Sequence, residues 1–233
     1  MNKELDYLRG NLENIMDRID KAAQKSGRSH KDIKLIAVTK TVDIDRIRKI
    51  IEEGIIDLGE NRVQEYAEKS DIIGEGCNWH LIGHLQTNKV KYIVDKISMI
   101  HSVDRLELAS EINKRALKIG RTVDILIQVN ISGEESKFGI SPESAFDLAK
   151  QASLFNNIKV KGLMTIAPFT DNIKTLRDVF RKLRNLSIDI EKENYDNISM
   201  DILSMGMSND FEVAIEEGSN MVRIGTALFG KRC

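Results

Sequence analysis

The chain is short of several things, and each shortage excludes a class. It has two cysteines, Cys77 and Cys233. They are far apart and match no metal-ligand spacing, so neither a disulfide framework nor a thiolate metal site is expected. Only two prolines occur among 233 residues, and no low-complexity tract, so no linker divides the sequence. A single domain over 1–233 is expected. Charges nearly cancel, with 35 basic and 36 acidic residues. Nucleic acid and anionic membranes call for a basic field, so neither is an expected partner. No apolar run approaches the ~20 residues of a membrane span. The first residues, MNKELDYLRGNLENIMDRIDKAAQKSG, form a charged amphipathic pattern rather than a signal peptide, which points to the cytoplasm.

What is there is a long alternation. Leu5, Leu8, Leu12, Ile15, Met16 and Ile19 recur at helical spacing within Lys3–Lys25. Strand-like runs follow at Ile33–Thr39, Ile56–Gly59, Trp79–Ile82, Met99–Ser102, Val123–Val129, Val160–Met164, Asp201–Met205 and Met221–Ile224. Between them lie the helical stretches Asp43–Glu53, Asn61–Ile73, Thr87–Val94, Arg105–Ile119, Pro142–Leu154, Ile173–Glu193 and Asp210–Glu217. Ser141 and Pro142 form a helix start. Gly54, Gly120 and Gly218 stand where helix C-caps belong. Strict alternation implies a parallel sheet with helical crossovers. The number of repeats in 233 residues suits an α/β fold of the (β/α)8 TIM-barrel type with an extra N-terminal helix, since such barrels take ~200 residues or more. An open doubly wound sheet is the alternative. It usually carries a glycine-rich turn after its first strand, and here that turn reads VTKTVD.

Barrel sites are built at the C-terminal ends of the strands. Read in order, those ends offer Lys40, then Glu60, Asn61 and Arg62, then His84, Gln86 and Asn88. His101 and Ser102 follow, then Asn130, then Met164 and Thr165. The last two contribute Ser204, Gly206, Ser208 and Asn209, and Arg223, Gly225 and Thr226. A lysine there is either a surface residue or an amine that condenses with a carbonyl. Ser208 is placed to cap the following helix, and Gly225 lets backbone approach an anion. Barrel phosphate sites commonly use the loops after strands seven and eight, so a phosphate is the expected ligand of these residues. Trp79 reads as core, and His80 and His101 as packed or capping strand residues. His84 has no second ligand at useful spacing, so no metal site is expected. Met205 and Met207 flank a glycine where a flat ligand would lie.

The segments AVTK at Ala37–Lys40, GEN at Gly59–Asn61, WHLIGHLQTNK at Trp79–Lys89, HSVD at His101–Asp104, NISGEESKFG at Asn130–Gly139, SMGMSNDF at Ser204–Phe211 and VRIGTALFG at Val222–Gly230 occur together. In combination they resemble the YggS/PROSC family of pyridoxal-phosphate-binding proteins, along essentially the whole chain. The family is a single barrel similar to the N-terminal domain of bacterial alanine racemase. The resemblance implies that Lys40 carries pyridoxal 5'-phosphate as a Schiff base. It implies that Ser208, Gly225 and Thr226 hold the phosphate, that Arg223 faces the pyridine nitrogen, and that Asn61 and Met205 are secondary contacts. An arginine only donates, so it would keep that nitrogen unprotonated and the ring a poorer electron sink. Alanine racemases follow their lysine with Ala-Asn-Ala-Tyr-Gly, whereas Thr41, Val42 and Asp43 follow Lys40. The expectation is a non-catalytic monomer that buffers pyridoxal phosphate, delivers it to apoenzymes that use it, and influences vitamin B6 and amino-acid homeostasis. An amino-acid racemase is the alternative. A cofactor-free lysine aldolase acting on a phosphorylated sugar is a third reading.

Overall fold

The computed structural model describes residues 5–230. Of the sequence expectations, the start of the first helix at Lys3 and the terminal Cys233 lie outside them. Within them α1 spans Asp6–Lys25, and strands and helices then alternate. β1 is Lys34–Val38, α2 Ile44–Glu52, β2 Asp57–Glu60, α3 Val63–Ile73 and β3 Asn78–Leu81. After a 3₁₀ turn at Thr87–Tyr92 come β4 Met99–Val103, α4 Leu106–Lys118, β5 Val123–Gln128 and α5 Pro142–Ala152. β6 Ile158–Met164, α6 Ile173–Lys192, β7 Ile198–Met207, α7 Phe211–Glu216, β8 Met221–Ile224 and α8 Thr226–Phe229 complete the order. All strands are parallel and close into a barrel in sequence order, β8 pairing back on β1 with Lys34 opposite Met221. The expected TIM barrel with its additional N-terminal helix is what forms.

Local chemistry accounts for the boundaries. Ser141 accepts from the Ser144 amide and Pro142 opens α5, as its fixed φ and missing N–H favour. Gly54, Gly120 and Gly218 all follow helices at positive φ. The segment Thr87–Val94, expected as an α-helix, is a 3₁₀ turn. It carries three buried apolar anchors, Val90, Ile93 and Val94, in too few residues for a regular helical face. α1 packs across α7, α8 and α2 on the outer wall.

Period-2 alternation sorts the side chains into two cores. Outward residues such as Leu58, Leu81, Ile125, Val222 and Ile224 meet the helices in one large apolar layer. Along the axis Ile36, Met99, Leu126, Met164 and Met221 form a second, smaller cluster, with Ile202 beside them. Inward polar residues fill the rest of the bore. At Gly162, φ is +150° and an added Cβ would lie 1.8 Å from the Ile202 carbonyl oxygen. Only glycine permits that approach, which leaves Met164 beside Ser204 in register.

Candidate cofactor site

Lys40 sits just past the C-terminal end of β1, in a tight turn closed by the Val42 amide donating to Thr39 O at 2.9 Å. The third residue of that turn, Thr41, has φ +61°. A β-branched residue there costs roughly 1–2 kcal/mol relative to the right-handed region. Neighbours hold the conformation. The Thr41 amide donates to Glu65 at 2.9 Å, and its hydroxyl donates to Lys40 O at 2.6 Å. Behind the turn lies an ion pair unforeseen in the sequence. Lys69 donates to Glu60 at 2.6 Å, to Thr39 O at 2.7 Å and to Glu65 at 3.2 Å. Glu60 is fully buried and also accepts from the Thr39 hydroxyl at 2.6 Å. Glu60 and Lys69 thus clamp Thr39 on one flank of Lys40, and Glu65, itself held by Lys69, clamps Thr41 on the other. The Lys40 ammonium itself has no hydrogen bond or ion pair among the described residues.

Across the mouth, Arg223 points inward from β8 and is 3% exposed. It donates to Ser204 Oγ at 2.6 Å and to Thr165 O at 2.8 Å, both at C-terminal strand ends. A guanidinium has five N–H donors, and its others find no protein acceptor among the described residues. Burial pushes Arg223 down to about 10, against the pull of Asp210. Asp210 is raised by its own burial, although it accepts from the Met207 amide at 2.5 Å.

Ser208 corrects one expectation. It does not cap the helix that follows it, since Asp210 occupies that position. Its hydroxyl accepts instead from the Ala227 amide at 3.2 Å, in the first turn of α8. The loops after β7 and β8 are thereby tied together, and Gly225 and Thr226 begin the same turn. Helix starts leave amides without partners in the preceding turn, a setting that suits phosphate oxygens. Met205 is the other correction. Ser204 faces the bore, so alternation turns Met205 outward, where it is fully buried in the helix-facing core. Its side chain does not reach the mouth. Asn61 stays at the rim, where an added Cβ on Gly83 would lie 2.3 Å from its carbonyl oxygen. The loop after β5 closes one side, with Phe138 stacked on His84 at 4.2 Å between ring centroids. In that loop Lys137 pairs with Glu134 at 2.8 Å.

These groups fit pyridoxal phosphate in kind. An unpartnered amine suits an aldehyde, spare guanidinium donors suit a ring nitrogen that accepts, and paired loops with helix-start amides suit a phosphate. Among the described residues no group of three or more His, Cys, Asp or Glu is placed to hold a metal. No described helix is long and apolar enough to cross a membrane.

The family model for the alanine racemase N-terminal domain matches residues 10–233, and the chain belongs to that family. A relative from Aquifex aeolicus, named pyridoxal phosphate homeostasis protein, is 47% identical over 222 residues, covering 95% of this chain and 96% of its own. A crystal structure of an unknown protein from Bifidobacterium adolescentis superposes with a TM-score of 0.92 at 35% identity, covering 98% of this chain and 97% of that one. PipY of Synechococcus elongatus, solved with PLP bound, gives a TM-score of 0.80 at 31% identity, covering 91% of this chain and all (100%) of PipY. Alanine racemase of Clostridium difficile shares the fold, with a TM-score of 0.77 at 20% identity. There the match covers 98% of this chain but 57% of the racemase.

Proposed function

We propose that this protein binds pyridoxal 5'-phosphate reversibly and serves its homeostasis, and with it that of amino acids, rather than turning over a substrate of its own. Lys40 is the attachment point. Its amine condenses with the aldehyde, releasing water and forming a Schiff base. Ser208, Gly225 and Thr226 receive the phosphate, Arg223 donates to the pyridine nitrogen, and Asn61 lines the rim. The observation that carries the reading is the pairing, at one mouth, of an amine without a partner and a buried guanidinium with donors to spare. A bound pyridoxal ring would supply an electrophilic carbon and a conjugated electron sink. An arginine opposite its nitrogen leaves the ring neutral and weakens that sink, which favours holding over broad catalysis. The relatives' name and the PLP-bound PipY support the same cofactor. On this reading the protein is a cytoplasmic monomer, and apoenzymes that need the cofactor are its recipients.

The test is the visible spectrum of the purified protein with and without added pyridoxal phosphate, then borohydride reduction and peptide mapping. A band fixed by borohydride on Lys40 is expected. Label scattered over surface lysines would sink the site. Exchange of the α-deuterium of an amino acid at an ordinary enzymatic rate, lost in Lys40→Ala, would replace the carrier reading with a racemase.

A further inference from the structure

The bore of the barrel contains a continuous line of hydrogen bonds from one mouth to the other. At the N-terminal mouth a cavity of about 490 Å³ is lined in part by Lys34, Asp57, His80 and Asn220. Asp57 Oδ1 lies 3.1 Å from His80 Nε2. His80 Nδ1 lies 2.9 Å from His101 Nε2. His101 Nδ1 lies 3.0 Å from Ser204 Oγ. Arg223 then donates to that same oxygen at 2.6 Å. Both histidines, Ser204 and Arg223 are buried.

With both imidazoles neutral, the two ends fix the direction of every proton in between. An ionised Asp57 only accepts, and Arg223 only donates. A neutral imidazole has one donor and one acceptor nitrogen, and a serine hydroxyl has one donor. Starting from Asp57, His80 must carry its proton on Nε2. Its Nδ1 is then an acceptor, so His101 carries its own proton on Nε2. His101 Nδ1 in turn accepts from the Ser204 hydroxyl, which leaves the serine lone pairs for Arg223. The opposite order sets two acceptors, Asp57 and His80 Nε2, face to face. It also leaves the Ser204 hydroxyl proton without an acceptor among its described contacts. Other charged groups agree with the first order. Lys34 and Asn78 donate to Asp57 at 3.3 and 3.2 Å, and Asp210 lies on the Arg223 side. Burial opposes Asp57 ionisation, but the hydrogen bond from His80 and the charge of Lys34 outweigh it and hold this carboxyl below the usual range. Burial, with the charges of Arg223 and Lys34 adding to it, pushes His101 well below the ordinary imidazole value, so it is neutral.

We propose that Asp57, His80, His101 and Ser204 are positioning residues for Arg223, forming a one-way relay through which the far mouth of the barrel fixes the donors that Arg223 presents to the cofactor. The relay itself stands on this chain alone; its meaning for the cofactor rests on the function proposed above. Loss of the acceptor-only anchor at position 57 makes the reversed order available. His101 Nδ1–H then takes one of the two lone pairs of the Ser204 oxygen, the serine proton must turn away from His101, and the seat of the guanidinium shifts.

Histidine ring nitrogens report the arrangement directly. The chain has four histidines, so ¹⁵N-histidine labelling gives a spectrum that single substitutions assign. In cofactor-free protein, His80 and His101 should both carry protons on Nε2 and bare nitrogens at Nδ1. Asp57→Asn, nearly isosteric, should introduce a second tautomer at His101, two hydrogen bonds from the change. A proton on Nδ1 of either ring in the unsubstituted protein would overturn the relay. So would unaltered His101 signals in Asp57→Asn. Should that variant fail to fold, Ser204→Ala asks the question from the other end: Asp57 still fixes His80, so both rings keep their protons on Nε2 while the His101 Nδ1 signal shifts on losing its donor. A proton on Nδ1 of either ring there, or an unmoved His101 Nδ1 signal, overturns the relay. With pyridoxal phosphate added, Asp57→Asn should bind about tenfold more weakly, a loss of about 1.4 kcal/mol. Wild-type affinity in that variant, with Lys40 labelled, would sever the relay from the cofactor. Failure to label Lys40 in the unsubstituted protein would instead sink the cofactor reading and leave the tautomer result standing.

Discussion

β2 carries two acidic residues three positions apart, and they do opposite things. Asp57, at the start of the strand, faces the bore and meets two ring systems in line. Glu60, at its end, faces the helices and is fully buried against Lys69. The first anchor is polarised, a line of hydrogen bonds between an anion and a cation. The second is a compact ion pair whose lysine spends its donors on Glu60, Thr39 and Glu65. Strand alternation alone separates them. The comparison shows how a barrel can aim two distant residues of the proposed site independently. Lys40 is held from outside the sheet, and Arg223 from inside it.

Breaking the outer anchor should cost most. Lys69→Met leaves the Glu60 carboxylate buried without its cation, a change worth about 3–5 kcal/mol where such pairs have been broken. Chemical denaturation should show that loss, and a Glu60→Leu, Lys69→Met double variant should recover much of it. Full additivity of the two single changes would mean the pair is not the anchor described. Breaking the inner terminus should cost less stability but more binding. Arg223→Gln is expected to weaken pyridoxal phosphate at least about tenfold, and to leave Ser204 and Thr165 O short of a donor at about 1–3 kcal/mol. Spectroscopic titration and unfolding of the same sample separate the two effects.

Acid should discriminate further between the anchors. His101 binds its proton less readily folded than unfolded, so the unfolded chain holds more protons below its ordinary value of about 6.5. Stability therefore falls as the pH drops from about 6.5 toward the depressed folded value. Asp57, also depressed, adds a further loss at lower pH, as its folded value is crossed. A thermal midpoint that holds flat from pH 7 to 5 would contradict the neutral His101. The smallest change concerns the turn beside Lys40. Thr41→Gly removes the positive-φ strain but adds backbone freedom to the unfolded chain, so a gain of at most about 1 kcal/mol is expected. A loss larger than that would mean the threonine hydroxyl on Lys40 O outweighs the strain.

Much of the scaffold was legible because barrel strands and helices announce themselves locally. Met221–Ile224 was bounded at both ends by its apolar run, and the glycines at 54, 120 and 218 marked real helix ends. The strand-end rule also places Lys40 just past β1 and Ser208 just past β7, where the structure has them. The failures share a different origin. His80 and His101 each look like ordinary strand residues, and nothing near either one announces that adjacent strands bring the rings within 2.9 Å. Glu60 and Lys69 likewise meet through the fold. Met205 was a failure of another sort, since counting outward from Ser204 would have turned it away from the bore. Ser208 was misassigned because a serine before a helix looks like its cap, while the amide it serves belongs to a helix after the next strand.

The seam where the barrel closes has a consequence for the living cell. β1 and β8 come from opposite ends of the sequence, and Asn11 on α1 donates to the Leu228 carbonyl across 217 positions. On a ribosome, Lys40 emerges well over a hundred residues before Ser208, Arg223 and Gly225. Until they arrive, that lysine is one amine among many. Long-range closure of this kind is also intrinsically slow. On the proposed site, capture of a reactive aldehyde is therefore gated by quality control that the topology itself performs, since only a chain wound as far as β8 can hold it.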